Sequence, residues 1–68
     1  MSTVKIIELS GASDVGWEQA VKNAVKSASK SLTDLICVDV IGWTANIGED
    51  GELTEYRANV KIAFKVHD

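Results

Sequence analysis

The sequence predicts an α+β fold with the order β-α-β-β, in which a three-stranded antiparallel sheet packs against one helix. Two patterns support this prediction. Apolar residues recur every three or four positions over residues 16–34, as in an amphipathic helix. Apolar and polar residues alternate cleanly in Leu53–Val66, as in a strand with one buried face. With 68 residues, the chain is expected to form a single domain spanning residues 1–68.

The first half of the chain predicts a strand and then the helix. Residues 4–9 are β-branched and aliphatic and predict a strand, whereas residues 10–14 (SGASD) predict a turn. The helix is expected from about residue 16 to residue 34. Its apolar stripe consists of Trp17, Ala20, Val21, Ala24, Val25, Ala28, Leu32 and Leu35.

The second half predicts a long antiparallel hairpin. Residues 36–47 and Leu53–Val66 are the expected strands, and the Asp50-Gly51 pair between them favours a turn with positive φ. In the last strand one face holds Tyr56, Ala58, Val60, Ile62, Phe64 and Val66, and the other holds Arg57, Asn59, Lys61, Ala63 and Lys65. The helix is expected to cover the first of these faces, together with Ile36, Val38 and Val40.

The opposite face of the sheet is expected to remain uncovered by the helix. Strand alternation places Cys37, Asp39, Ile41 and Trp43 there. Exposed apolar groups of this kind indicate an interface. A domain this small also needs added support, and the single cysteine excludes a disulfide within one chain. The sequence therefore predicts a homo-oligomer.

Composition disfavours several classes of partner. The formal net charge is −3 and the chain has no basic cluster, which argues against nucleic-acid binding. No apolar run approaches the roughly 20 residues that span a bilayer, so no membrane partner is expected. The N-terminal apolar stretch is too short for a signal peptide. A cytoplasmic location is the expectation, and a lone thiol suits a reducing compartment.

No catalytic constellation stands out in the sequence, but three residues have alternative interpretations. Cys37 is either a small interface residue or a thiol nucleophile activated by a nearby cation such as Arg57. Arg57, the only arginine, either forms a structural ion pair or binds a carboxylate or phosphate. Trp43 either fills an interface or forms a stacking platform. His67 is next to the C-terminal residue, where an active role is not expected.

The predicted hairpin turn is acidic. The carboxylates at Glu49, Asp50, Glu52 and Glu55 could attract Ca²⁺, although their spacing is not that of an EF-hand. The simpler interpretation is a solvated turn.

The order of the elements, together with WEQAVKNAV at the helix start and EYRANVKIAFKV at the end, resembles the dodecin family over nearly the whole chain. The resemblance implies a sheet wrapped around the helix and twelve such subunits in a hollow shell. It also implies a non-enzymatic protein that binds, stores or buffers a small ligand. In flavin-binding dodecins that ligand is a flavin such as FMN or riboflavin, stacked between tryptophans of symmetry-related subunits.

The resemblance also implies candidate ligand-binding residues, namely Cys37, Asp39 and Arg57. Cys37 stands where flavin-binding dodecins have the stacking tryptophan, and Asp39 where they have a glutamate. Arg57 stands where they have a glutamine that hydrogen-bonds the flavin. Trp43 cannot replace the missing tryptophan, because it lies six residues, about 20 Å, farther along the strand.

Arg57 would favour FMN over riboflavin if it reaches the phosphate. The Trp at the helix start and the Tyr56-Arg57 pair resemble a branch of the family in which calcium binding is known, without assigning calcium ligands here. A calcium-binding or purely structural shell is therefore the alternative. An enzyme using the thiol of Cys37 is a more distant one.

Overall fold

A computed structural model describes residues 3–67 and contains the four expected elements in the expected order. They are β1 (Thr3–Ser13), α1 (Trp17–Ser29), β2 (Leu35–Ile47) and β3 (Leu53–Val66). The sheet order is β1-β3-β2, and β3 pairs antiparallel with both neighbours. The predicted β-α-β-β order and three-stranded antiparallel sheet are confirmed. No helix in this part of the chain is long and apolar enough to cross a membrane.

The core lies between α1 and the central strand β3. Its buried members are small or β-branched, and each is at most 6% exposed: Ala20, Ala24, Ala28, Ala58, Val60 and Ile62. The three alanines are spaced by four residues, so they form one stripe along the helix. Their short side chains let the helix backbone approach the sheet closely. The alternation predicted for β3 is confirmed, because Ala58, Val60 and Ile62 all face the helix.

Strand β1 is longer than predicted. It continues through Gly11 to Ser13, and Gly11 pairs with Ala58 of β3. The predicted turn at residues 10–14 is therefore wrong over most of its length. The reason is helix packing, since a Cβ added at Gly11 would lie 2.1 Å from the carbonyl oxygen of Ala20. The glycine serves as a contact point for the helix within a strand.

Helix α1 ends at Ser29, five residues before its predicted end. The amide of Leu32 still donates to the carbonyl of Ala28, at 3.0 Å, but the chain then reverses. Asp34 takes the left-handed conformation, with φ of 58°. Leu32 and Leu35 pack against the core from outside the helix. Their spacing in the sequence therefore matches the apolar stripe, although their backbone is not helical. This is why the helix was predicted to end too late.

The pairing of β2 with β3 contains three irregularities that repetitive alternation does not predict. The register with β3 shifts between Leu35 and Cys37, between Val40 and Gly42, and again near residue 46. Each extra residue moves the following side chains to the other face of the sheet. After the second shift Trp43 lies opposite Ala58, on the helix side. The prediction that Trp43 shares a face with Cys37 is wrong for this reason.

Helix α1 covers β1 and β3 but leaves much of β2 open. Val40 packs against the core as predicted, whereas Ile36 is 52% and Val38 37% exposed. Burial of Ile36 and Val38 under the helix was therefore predicted wrongly for the single chain. Since α1 lies over β1 and β3, β2 at the far edge of the sheet is only partly covered.

The hairpin turn between β2 and β3 is confirmed. The amide of Gly48 donates to the carbonyl of Glu52 at 2.7 Å, and the amide of Gly51 donates to the carbonyl of Gly48 at 3.0 Å. Gly51 has φ of 84°, as the Asp-Gly pair predicted.

Candidate functional site

The face of the sheet opposite α1, called the outer face below, carries the three predicted ligand residues. Cys37 lies opposite Ala63, Asp39 lies opposite Lys61, and Arg57 lies opposite Thr44. Ala63, Lys61 and Arg57 alternate with the buried residues of β3, so their side chains point away from the helix. The sequence therefore predicted the correct face for all three residues.

Cys37 lies in an aliphatic row across the outer face. Ala63 stands beside it on β3, and Ile6 of β1 pairs with Ala63 on the other side. Cys37 is exposed and Ile6 is 63% exposed. The row offers apolar surface with one thiol and no aromatic ring.

Asp39 belongs to the next row, which consists of charged residues. Lys61 stands between Asp39 of β2 and Glu8 of β1. Opposite charges directly across two strands stabilise an antiparallel sheet, by roughly 0.2–1 kcal/mol for each pair. The row is charge-complementary without any external ligand.

Arg57 already has two partners within the chain. Its Nη1 contacts the carboxylate of Glu55, and its Nη2 donates to Oδ1 of Asn46 at 2.7 Å. Glu55 lies two residues away on the same strand and the same face, and Asn46 lies at the last irregularity of β2. Of the two interpretations of Arg57, the structure shows the ion pair.

The register separates Arg57 from Cys37. Arg57 and the partner of Cys37, Ala63, are six residues apart on β3, which is about 20 Å along a strand. The expectation that Arg57 lies near Cys37 is therefore wrong within one chain. A ligand that touches both residues would need them from different subunits.

The aromatic residues gather on the helix side. The ring of Trp17 meets Trp43 at a centroid distance of 6.1 Å and Tyr56 at 5.0 Å, both edge to face at 79°. The indole nitrogen of Trp17 donates to the carbonyl of Thr44 at 2.9 Å. The fourth aromatic residue, Phe64, lies opposite Leu35 and alternates with Ala63, so it also faces the helix. Within residues 3–67 the outer face thus has no ring on which an isoalloxazine could stack.

A second apolar surface, called the α1–β2 groove below, lies between the helix and the open part of β2. It consists of two adjoining hollows of about 270 and 440 Å³ that share Val25 and Val38. The apolar walls are formed by Val21, Val25, Leu35, Ile36, Val38 and Ile62. Apolar surface this open on a small domain is typical of an interface.

The acidic hairpin does not assemble a metal site within one chain. Asp50 Oδ1 accepts the amide of Glu52 at 3.0 Å, and Glu55 is engaged by Arg57. Across residues 3–67, no three His, Cys, Asp or Glu side chains lie close enough to hold an ion. Within the described residues, a single subunit therefore offers no cluster of three such side chains for Ca²⁺.

The contact between Asp34 and His67 was not predicted from the sequence. His67 Nε2 contacts Asp34 Oδ2, and the carbonyl of Asp34 accepts the amide of Lys65 at 3.0 Å. Asp34 therefore joins the α1–β2 connection to the end of β3. Since 33 residues separate the two side chains, no local pattern could have indicated the contact.

Known proteins match this chain over all the residues that the structure describes. The family model described as Dodecin matches residues 3–67. A protein named Calcium dodecin from Mycobacterium tuberculosis (strain ATCC 25618 / H37Rv) is 35% identical over 66 residues, which are 97% of this chain and 92% of that protein.

Solved structures agree with that match. Dodecin from Streptomyces coelicolor superposes with a TM-score of 0.92 at 33% identity, over 98% of this chain and 94% of that one. The calcium dodecin of Mycobacterium tuberculosis, described as calcium chelating with a novel calcium-binding site, has a TM-score of 0.82 at 31% identity. That match covers 96% of this chain and 91% of the other.

Proposed function

The chain belongs to the dodecin family, and from that premise we propose that it forms a hollow homododecamer that binds, stores or buffers a small ligand. The observation that carries the proposal is the apolar surface left open by a single subunit. Val38 and Ile36 in the α1–β2 groove and Ile6 and Ile41 elsewhere on the sheet are each between 37% and 63% exposed. Burying such side chains between copies supplies the stability that one thin domain lacks.

The proposed ligand class is a flavin, riboflavin or FMN, bound weakly. The family resemblance supports a flavin, while two features of the outer face lower the expected affinity for it. Cys37 offers no π surface, and the outer face has no other ring in the described residues. The ligand would lie between subunits, because Cys37 and Arg57 are about 20 Å apart in one chain.

Calcium binding is the second candidate function. It is supported by the relative named Calcium dodecin and by the acidic hairpin of this chain. Since one subunit has no cluster of three metal-binding side chains in residues 3–67, the ligands would come from several subunits or include backbone carbonyls.

A non-enzymatic role in the cytoplasm completes the proposal. The lone thiol of Cys37 suits a reducing compartment. The described histidine, His67, contacts Asp34, and the guanidinium of Arg57 is held by Glu55. The distant alternative, a thiol-dependent enzyme, would require a base or cation beside Cys37, and its cross-strand neighbour is Ala63.

Three measurements on the purified protein test the proposal. Light scattering should give a mass near twelve chains at micromolar concentration, and a stable folded monomer or dimer would contradict the shell. Added riboflavin or FMN should bind weakly, with little quenching of its fluorescence. Calorimetry and thermal melting in millimolar Ca²⁺ decide the second candidate, because a bound ion releases or absorbs heat and raises the Tm through mass action. The absence of both heat and a thermal shift would remove calcium binding as a candidate.

A matched pair of variants tests the role of the groove in assembly. Val38→Asp places a charge in the α1–β2 groove, where burial between subunits would leave it without a partner, so it should prevent assembly. Ser31→Asp adds the same charge at an exposed position outside the groove and should leave the mass unchanged. Full assembly of Val38→Asp would exclude the groove from the interface.

A further inference from the structure

Arg57 and Glu55 form an ion pair on the outer face, and both are partly exposed. The side chain of Arg57 is 35% exposed and that of Glu55 is 47% exposed. An arginine at this degree of exposure is accessible to a dissolved anion. The pair therefore bears on which ligands the outer face admits.

The hydrogen bonds of Arg57 occupy both of its terminal nitrogens. Nη1 is taken by the carboxylate of Glu55, and Nη2 by the amide oxygen of Asn46 at 2.7 Å. A phosphate or carboxylate is bound most strongly by two nitrogens of a guanidinium at once. Every such pair of nitrogens includes Nη1 or Nη2, so each has a nitrogen that is already engaged. Each of these nitrogens keeps a second N–H, so an incoming anion need not displace Glu55 or Asn46 but must share the guanidinium with them.

The charge of Glu55 also opposes the binding of an anion to Arg57. Its carboxylate neutralises the guanidinium locally and would repel a second anion placed beside it. Asn46 reinforces the effect, because it holds the other side of the guanidinium from strand β2. The guanidinium is thus fixed between two strands, with its own counter-anion in place.

We propose that Glu55 is a built-in counter-anion for Arg57 that makes the outer face select against phosphate-bearing and carboxylate-bearing ligands. The class of ligand that this face admits is a neutral ring system. Where it concerns flavins, this inference rests on the proposed function. It implies that the outer face binds riboflavin more tightly than FMN. It reverses the preference for FMN that a free Arg57 would give.

Two measurements on fully assembled protein test the inference, with a matched control. Glu55→Gln removes the counter-anion. Glu52→Gln makes the same change of net charge in the hairpin turn, where the contacts of Glu52 are made by its backbone. The first measurement titrates inorganic phosphate into protein labelled with ¹⁵N-arginine. Arg57 is the only arginine, so its side-chain resonance is unambiguous. The second compares riboflavin with FMN by fluorescence titration.

The expected result is a selective effect of Glu55→Gln. Its Arg57 resonance should respond to phosphate at a concentration about fivefold lower than in the wild type, a size appropriate to an exposed ion pair. The affinity ratio should move toward FMN by a similar factor, and Glu52→Gln should match the wild type in both measurements.

Phosphate binding to wild-type Arg57 as tight as in Glu55→Gln would overturn the inference, as would an equal shift in Glu52→Gln. If no form of the protein binds either flavin, the flavin proposal fails. The phosphate titration still decides the role of Glu55 in that case, so the two failures are distinguishable.

Discussion

Trp17 at the start of α1 meets Trp43 of β2 edge to face, with ring centroids 6.1 Å apart. The contact exists because β2 has an extra residue between Val40 and Gly42, which places Trp43 opposite Ala58 on the helix side. The two tryptophans join the helix to the strand that it otherwise leaves open. The irregularity in β2 thus changes the role of Trp43 from a residue of the outer face to a contact of the helix.

Trp43→Ala should lower the free energy of unfolding by about 1–2 kcal/mol. An edge-to-face pair contributes about 0.5–1.5 kcal/mol beyond the area that it buries, and Trp43 is half exposed. Urea unfolding at a fixed protein concentration measures the loss. Ile47→Ala is the control, because Ile47 is 74% exposed and should change stability by less than about 0.5 kcal/mol. Equal losses in the two variants would contradict a specific role for the pair.

Gly11→Ala should destabilise the subunit by about 2 kcal/mol or more. The new Cβ would lie 2.1 Å from the carbonyl oxygen of Ala20 and 2.8 Å from Cβ of Ala24, so the helix must shift away from the sheet. Gly16→Ala is the matched control. A Cβ there meets nothing within 4 Å, and only a cap preference of less than about 1 kcal/mol changes. Thermal unfolding compares the Tm of the two variants. A lower Tm for Gly16→Ala than for Gly11→Ala would show that α1 does not approach β1 this closely.

Replacements of Asp34 should separate backbone strain from side-chain contacts. Asp34→Gly and Asp34→Ala both remove the contact to His67, but only alanine retains a Cβ at φ of 58°. The glycine variant should therefore be the more stable of the two by about 1 kcal/mol, as read from denaturant midpoints. Asp34→Asn should fall between them, since asparagine tolerates this conformation better than alanine does. An alanine variant as stable as the glycine variant would argue against the left-handed conformation of residue 34.

Cys37→Trp combined with Arg57→Gln should raise the affinity for flavin and quench its fluorescence. The tryptophan supplies the missing ring, and stacking of a planar base on an aromatic side chain is worth about 1–3 kcal/mol. The gain should therefore be about fivefold to a hundredfold or more. Fluorescence titration of the double variant, both single variants and the wild type measures it, after light scattering has shown that each is assembled.

Two results of that titration would contradict the site. Tight and quenched binding by the wild type would show that Cys37 does not occupy the stacking position. An assembled double variant without any gain would show that the outer face is not where flavin binds.

The sequence by itself determined the element order, the alternation of β3 and the face on which Cys37, Asp39 and Arg57 lie. These features depend on local periodicity, which a single strand or helix shows without its partners. The helix stripe was also correct at Ala20, Ala24 and Ala28. It was misleading at Leu32 and Leu35, because these residues pack against the core from outside the helix.

Only the tertiary structure decided the features that depend on pairing between distant segments. Gly11 reads as a turn residue until α1 is packed against it. Trp43 changes face because β2 pairs with β3 through an irregular register, and a one-residue slip reverses every side chain that follows. The same pairing sets Cys37 and Arg57 about 20 Å apart. It also brings Asn46 of β2 to Arg57, which contacts Glu55 as well. Local periodicity specifies which way a side chain points, whereas cross-strand register specifies what it meets.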